Sequence, residues 1–448
     1  MAAADGAKVA AASVSSRLSI VAGMIRPTMI AIESNIEAVK ITLLISALWF
    51  VAFAWLVIVV LTVHGLSRQR SLLATNNLRL TASDAPLVSI LVPARNEQHR
   101  VLEQCIRSIL AQDYGRFEVI AVNDRSTDET GAILEKLAKS DERLSVIEGE
   151  ELPPGWLGKP YAMQQALNHA HGEWILATDA DMIFEPAALR TALDLTLEAK
   201  GDALTLLPHF EAHSFWERVM IPTWEWVLLM FTVFYSSNDP KTDRAVAIGG
   251  FFLIRRTVLD RVGGYEALKD EVMEDVRLAE RIKRSGARLL IDRAPAMIRT
   301  RMYRTFREMW ECSTKNWFSG MNFSLPLALS AVVSMYLGAV APPLIALATL
   351  IAIASGTDLS SVFVPAALSW LLQVLVMAIS SRRSGVSPVY ALTAPLGLGV
   401  IYAMLFDSSI RITTGRGVTW KGRRIYDRRG VRPPRLRTAA PQISNLDE

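Results

Sequence analysis

Apolar and polar positions fall into two regimes along the chain. In the first, residues 41–63 (ITLLISALWFVAFAWLVIVVLTV) run without a charge, and segments 325–354, 361–380 and 389–406 do the same. At ~1.5 Å rise per residue such runs reach across the ~30 Å of a bilayer's hydrocarbon. In the second, between residues 86 and 300, short apolar runs alternate with stretches of helical spacing. LVSILVP (87–93), FEVIAVN (117–123), LSVIEG (144–149) and EWILAT (173–178) predict four buried strands. Val101, Leu102, Cys105, Ile106, Ile109 and Leu110 predict a helix over 99–112. Ser126 and Glu129 form a capping-box pattern that predicts a second helix over 127–139, and a third is expected near 160–171. Strand and helix in alternation predict an α/β fold, with a mostly parallel sheet covered by helices on both faces. Ligands of such sheets bind outside the carboxyl ends of the strands.

The apolar runs imply that this α/β domain hangs between transmembrane α-helices. Segment 41–63 is too long for a signal-peptide core and is followed by LTVHGLSRQR, so it is expected to stay as an anchor. Residues 1–40 are Ala/Ser-rich and carry no clear signal. Residues 302–321 place Met302, Phe306, Met309, Trp310, Trp317 and Met321 on one broad side, which predicts an amphipathic helix, either interfacial or packed on the domain. The aromatic-rich stretch 214–237 contains Pro222 and Glu225 and is read as dipping toward the bilayer or packing in the core, not as a span. The region 325–406 holds about three apolar segments. One segment before the domain and three after it would put the tail on the opposite side of the membrane from the domain, so one segment is expected to be re-entrant or interfacial.

Composition adds a charge asymmetry. The chain of 448 residues is 51% hydrophobic with net charge +4. Ten Arg or Lys and a single acid, Asp427, lie within 411–437, so the basic tail 411–448 is expected to meet anionic lipid on the cytoplasmic face. Aromatics are sparse there and no nucleic-acid fold pattern appears, so nucleic acid is not an expected partner. Two cysteines, Cys105 and Cys312, make no disulfide framework.

Candidate chemistry sits at the strand ends. Arg95, Asn96 and Glu97 follow the first strand, Asn123 and Asp124 end the second, and Asp179 and Asp181 follow the fourth. Three clusters at corresponding ends point to one cleft. In an extended segment, positions i and i+2 face the same way, so Asp179 and Asp181 are expected to converge. Two close carboxylates repel unless a cation intervenes, and hard ions such as Mg²⁺ or Mn²⁺ take oxygen ligands. A solvated turn with an aspartate cap is the competing reading.

VPARNE (92–97), VNDRSTDET (122–130), GWLGKPYAMQQA (155–166), TDADMIF (178–184) and MEDVRLAERI (273–282) together resemble the family 2 glycosyltransferases, in order and spacing. The resemblance covers roughly residues 86–320. It is greatest to the membrane-anchored type that includes ceramide glucosyltransferase and the hopanoid- or carotenoid-associated bacterial members. It implies a GT-A (Rossmann-like) catalytic domain over 86–300. It also implies an inverting, metal-dependent transfer of a sugar from a UDP-type nucleotide-sugar donor to a membrane lipid, at the inner membrane with the domain facing the cytoplasm. Pro93, Arg95, Glu97 and Asp124 are then expected around the donor base and ribose, with Lys159 at the diphosphate. Asp179 would touch donor and metal, and Asp181 the metal, Mg²⁺ or Mn²⁺. Asp275 matches the base of the family's Glu-Asp pair, with Glu274 beside it. Gly249 and Gly250 match the turn beneath the acceptor. After the base, the family's Gln/Arg-x-x-Arg-Trp motif is replaced by RTFREMW (304–310). Arg304 and Arg307 are the diphosphate candidates there, and the displaced Trp310 is placed on the acceptor side. A processive polysaccharide synthase is the alternative, as is an inactive scaffold or transporter. Four apolar segments are few for a polymer channel, and these segments hold almost no ionisable groups.

Overall fold

A computed structural model describes residues 35–67, 85–230 and 245–427, with 239, 242, 431 and 433. Residues 1–34 of the N-terminal tail, 231–237 of the aromatic stretch and most of the tail beyond Asp427 lie outside the described residues. The described chain forms two units. One takes the residues up to Val57 with Ala341–Leu372; the other takes Ile58–Val340 with those from Gln373.

The first unit is built on apolar helix packing. Leu48, Ala346, Val362 and Ala366 are buried together, with Ile45, Ile345 and Trp370 against them.

The second unit contains a seven-stranded sheet. In chain order its elements are β1 (Val88–Ala94), β2 (Phe117–Asn123), β3 (Leu144–Glu148), β4 (Trp174–Ala177), β6 (Ala203–Leu207), β8 (Phe252–Arg255) and β9 (Leu289–Arg293). The spatial order is β3-β2-β1-β4-β8-β6-β9. β8 runs antiparallel to both neighbours, and every other pairing is parallel. The mostly parallel α/β sheet anticipated from the sequence is therefore present. Helices cover both faces. One core packs Val88, Ile90, Val92 and Leu176 with Leu102, Cys105, Ile106 and Ile109. The other packs Leu91, Ile120 and Ile175 with Ala162, Met163, Leu278 and Ile282. This is period-2 alternation in a doubly covered sheet: adjacent residues of β1 belong to opposite cores. Both cysteines are buried and free.

The helices that concern the site are α2 (Leu102–Leu110), α3 (Thr130–Ala138), α4 (Gly158–Asn168), α6 (Phe215–Met230), α8 (Glu274–Arg284) and α9 (Phe306–Gly320). α3 starts three residues later than its sequence pattern suggests, without the expected capping box. Ser126 is used elsewhere: its Oγ accepts from the Asn96 N–H at 3.1 Å. Asp128 instead accepts from the Thr130 N–H at 3.0 Å. A T-x-x-E cap appears at α9, where Thr305 Oγ1 accepts from the Glu308 N–H at 3.2 Å.

A small sheet, β5 (Met182–Phe184), β10 (Ile298–Thr300) and β7 (His209–Phe210), lies beyond β4. Four helices are long and apolar enough to cross a membrane: Asn35–Ser67, Leu325–Ala354, Ser360–Arg383 and Pro388–Thr413. The second carries a π-helical stretch at Tyr336–Val340, just before Pro342–Pro343. After the last apolar helix, the chain forms a hairpin, β11 (Arg416–Trp420) with β12 (Arg423–Asp427). The described part of the basic tail thus includes an ordered hairpin.

Candidate active site

The loops after β1 and β2 are latched to each other. Asn96 and Arg125 both adopt φ near +50° without being glycine, a conformation that persists only where surroundings fix it. The fixing bonds are the Glu97 N–H to Thr130 Oγ1 at 2.8 Å, the Gln98 N–H to Asp128 Oδ2 at 3.0 Å and the Thr127 N–H to Asn96 Oδ1 at 2.9 Å. Arg95 spans the pair, donating to the carbonyls of Asp124 at 2.6 Å and Arg125 at 2.8 Å. Pro93 sits in β1 beside Val122. Asp124 is 5% exposed. Its carboxylate accepts from Arg125 Nε at 3.0 Å and from Arg423 of the hairpin at 2.9 Å.

Asp179 and Asp181 depart from the expected geometry. They lie in the turn between β4 and β5, where the chain leaves the large sheet for the small one. The Met182 N–H donates to the Asp179 carbonyl at 3.4 Å. The turn gives each carboxylate its own cation. Asp179 pairs with Lys159 Nζ at 2.7 Å, and Asp181 with Arg100 at 3.1 Å. Burial pushes the Asp179 carboxyl up, but the Lys159 ammonium outweighs it and holds the group below its usual range. Burial, reinforced by Asp179, pushes Asp181 up to about 6 despite Arg100. Among the described residues, no cluster of three or more His, Cys, Asp or Glu could hold a metal. The pair still suits a hard divalent ion of the Mg²⁺ type, which needs one or two carboxylates and fills its shell with water and phosphate oxygens. An under-compensated Asp181 is the feature that fits such an ion.

Glu274 and Asp275 open α8, whose N-terminus favours negative charge. Glu274 accepts from Lys159 Nζ at 2.7 Å, so a single ammonium joins it to Asp179. Burial lowers Lys159, but Asp179, Glu274 and Asp275 raise it well above its usual value, so it stays charged. Asp275 is fixed through both oxygens: Oδ2 accepts from the Gly249 N–H at 2.8 Å, Oδ1 from the Val276 N–H at 2.8 Å. Burial first, and then Glu274, push its carboxyl up to about 6. A Cβ on Gly249 would lie 3.2 Å from Asp275 Oδ2, 3.2 Å from Lys159 Nζ and 3.7 Å from Asp179 Oδ2. Three of the expected residues thus surround one glycine, and a fourth, Glu274, shares the Lys159 ammonium. Gly250 points away, against Met182, whose sulfur would be 2.7 Å from an added Cβ.

The RTFREMW stretch contributes differently from the expectation. Arg307 does not reach the cluster: it is 89% exposed and pairs with Glu311 at 3.1 Å on its own helix. The Arg304 side chain donates to the His99 carbonyl. Trp310 donates to Asp407 at 2.7 Å. The arginine that does enter is Arg100, missed in the sequence reading because it looked like one more polar position at a helix start. It contacts Asp181, Glu97 and Glu308. Lys421 contacts Glu97, and Lys315 stands over Trp420 at 4.3 Å. Their only sequence signal was positive charge, absorbed into the basic tail and the amphipathic helix.

An apolar pocket lies alongside. Phe210, Trp224, Met302, Met309, Trp317 and Ile401 line it together with Tyr303, whose phenol interacts with the charge of Asp181. α6 supplies part of its wall; Ile221 is buried, with Trp224 and Leu228 packed against the same cluster.

Residues 89–263 match the family described as Glycosyl transferase family 2. Over 257 residues the chain is 25% identical to the 4,4'-diaponeurosporenoate glycosyltransferase of Staphylococcus aureus strain USA300, covering 57% of this chain and 67% of the relative. The protein of the same name from strain MRSA252 is 26% identical over the same shares. Among solved structures, the mannosyltransferase PcManGT from Pyrobaculum calidifontis, in complex with GDP-Man and Mn²⁺, is similar with a TM-score of 0.49 and 16% identity, over 82% of this chain and 98% of that one.

Proposed function

Residues 89–263 are a glycosyl transferase family 2 domain, and from that premise we propose that the protein moves a sugar from a UDP-type nucleotide sugar to a membrane lipid hydroxyl, with inversion. The observation that carries this reading is the gathering of Asp179, Lys159 and Asp275 around Gly249, with Glu274 on the same Lys159 ammonium. Glu274 and Asp275 lie beyond residues 89–263, yet they reach the same place.

Asp275 is the general base. Two backbone N–H groups fix its carboxylate, and its raised affinity for a proton suits it to take one from an attacking hydroxyl. As the hydroxyl oxygen bonds the anomeric carbon, the bond from that carbon to the diphosphate breaks, and the proton passes to Asp275. Lys159 holds Asp179 and Glu274 in place and keeps three carboxylates from repelling one another. Glu97 and Asp124, with Pro93 and Arg95 shaping their loops, face the nucleoside. Asp179 and Asp181 would hold Mg²⁺ or Mn²⁺, which supplies positive charge to the departing diphosphate.

The acceptor reading rests on the apolar pocket and on the four long apolar helices. A carotenoid-type relative points to the same acceptor class. The protein is then a multi-pass enzyme of the inner membrane, with this domain on the cytoplasmic side, where nucleotide sugars are made.

The test is to incubate membranes holding the protein with radiolabelled UDP-sugars, and GDP-sugars in parallel, plus Mn²⁺. Label extracted into organic solvent, and lost in Asp275→Asn, is expected. Label in an insoluble polymer would replace this reading with a synthase; no transfer from any donor would sink it.

A further inference from the structure

The hairpin β11–β12 reaches the candidate site from far along the chain. Its turn residues, Lys421 and Gly422, both have positive φ, +43° and +78°, as a two-residue type I′ turn requires. Trp420 and Arg423 are paired across it. Gly417, at φ +69°, allows the strands to close, since a Cβ there would sit 2.7 Å from the Ile425 carbonyl. The far end is pinned by Tyr426, whose hydroxyl donates to the Asp270 carbonyl at 2.9 Å and whose ring meets Phe323 edge-on. This construction is tethered at its far end, and it carries its cations into the site.

Those cations follow an order. Arg423 lies on Asp124, at the expected nucleoside end. Lys421 lies on Glu97, further along. Lys315, from α9, stands 4.3 Å from the centre of the Trp420 ring, and Lys421 Nζ stands 5.6 Å from it. Both ammonium groups act on Asp179. Among the described residues Lys315 makes no ion pair. A half-buried ammonium resting on an aromatic face, with no counterion, is suited to an anion. The row of positive groups therefore leads from the nucleoside end to Asp179, along the path a nucleoside diphosphate would take between them.

We propose that the hairpin is a clasp for the donor: Lys421 and Arg423, with Lys315 beneath Trp420, take the diphosphate oxygens of the nucleotide sugar and exchange their carboxylate partners for phosphate. This rests on the nucleotide-sugar reading above. When the donor arrives, Arg423 leaves the Asp124 carboxylate to the base and turns to the phosphates. Asp124 keeps Arg125 as its counterion in the exchange.

The experiment uses the full chain in detergent with Mn²⁺ and measures binding of UDP, GDP, uridine and guanosine by calorimetry. Lys421→Ala and Arg423→Ala are each expected to weaken the diphosphate about tenfold or more, since charge-assisted bonds are lost, and to leave the nucleoside unweakened. Amide exchange supplies a readout on the unmodified protein: amides of 416–427 should slow when the diphosphate binds. Unchanged or tighter diphosphate binding in both variants, or unchanged exchange in a wild type that binds, overturns the clasp while leaving the donor reading intact. A wild type that binds neither UDP nor GDP overturns the donor reading, and the clasp with it.

Discussion

The backbone N–H of Gly249 donates to Asp275 Oδ2 at 2.8 Å, and an added Cβ beside that bond would be tight against the same oxygen. Gly249→Ala places a methyl 3.2 Å from both that oxygen and Lys159 Nζ, so both must shift by a few tenths of an ångström. Displacement of that order at a reacting group costs about ten- to a hundredfold in rate. Turnover should fall by that factor with the melting temperature nearly unchanged. Wild-type turnover in this variant would show that Asp275 needs no fixed position.

Asp275 titrates near pH 6 because burial and Glu274 hold its proton on. A general base works only when ionised, so the rate should rise with pH through about 6 and level off above it. Below that point it should fall about tenfold per unit. A pH–rate profile with no inflection between 5 and 7 would remove Asp275 from the role.

Lys159 neutralises two acids at once, Asp179 and Glu274, each at 2.7 Å. In Lys159→Met the Asp179 carboxyl loses the ammonium that holds it down, and burial raises it in the folded state above the unfolded chain. The sign follows: the unfolded state then binds fewer protons than the folded one, so stability falls as pH rises. The loss should be small near pH 5 and about 1–3 kcal/mol near pH 8, kept modest because the pair is a third exposed. Thermal melts at the two pH values test this; an equal loss at both would contradict it.

Two arginines make a paired test. Arg100 is enclosed among Glu97, Asp181 and Glu308, whereas Arg307, on an exposed helix face, pairs among the described residues with Glu311 alone. Arg307→Ala should leave turnover within about twofold, because exposed pairs contribute little. Arg100→Ala should cost far more and raise the Mn²⁺ concentration dependence of the rate, since Asp181 loses its neighbour. Equal effects would reverse this assignment of the arginines.

The sheet was legible because its strands are short apolar runs punctuated by polar loops, and a doubly covered sheet gives that pattern strongly. The residues at strand ends were legible for the same reason: Asn96, Asp124 and Asp179 stand where the apolar run stops. Geometry within the loops was not. Asp179 and Asp181 read as extended neighbours, but Asp181 lies in a turn between two sheets, and each carboxylate has its own cation, Lys159 and Arg100. Ser126 read as a cap and serves as a latch to Asn96. The largest omission was the hairpin. Its Lys421–Gly422 turn was spelled out, but positive charge beside an apolar helix looked like lipid affinity, and no local pattern reveals that a strand pair folds back some 300 positions to meet Asp124.

That return has a practical side for anyone dissecting the protein. A fragment trimmed to the family-matched region, ending at Gly263, would dispense with Asp275, the proposed proton acceptor, and with every cation that Lys315 and the hairpin contribute. One cut just before Arg416 would keep the acids but leave Asp124 and Glu97 short of their countercharge. Within the second unit the strand-end loops and the hairpin therefore depend on one another for charge balance, and a shortened version would have to carry that far end back by design.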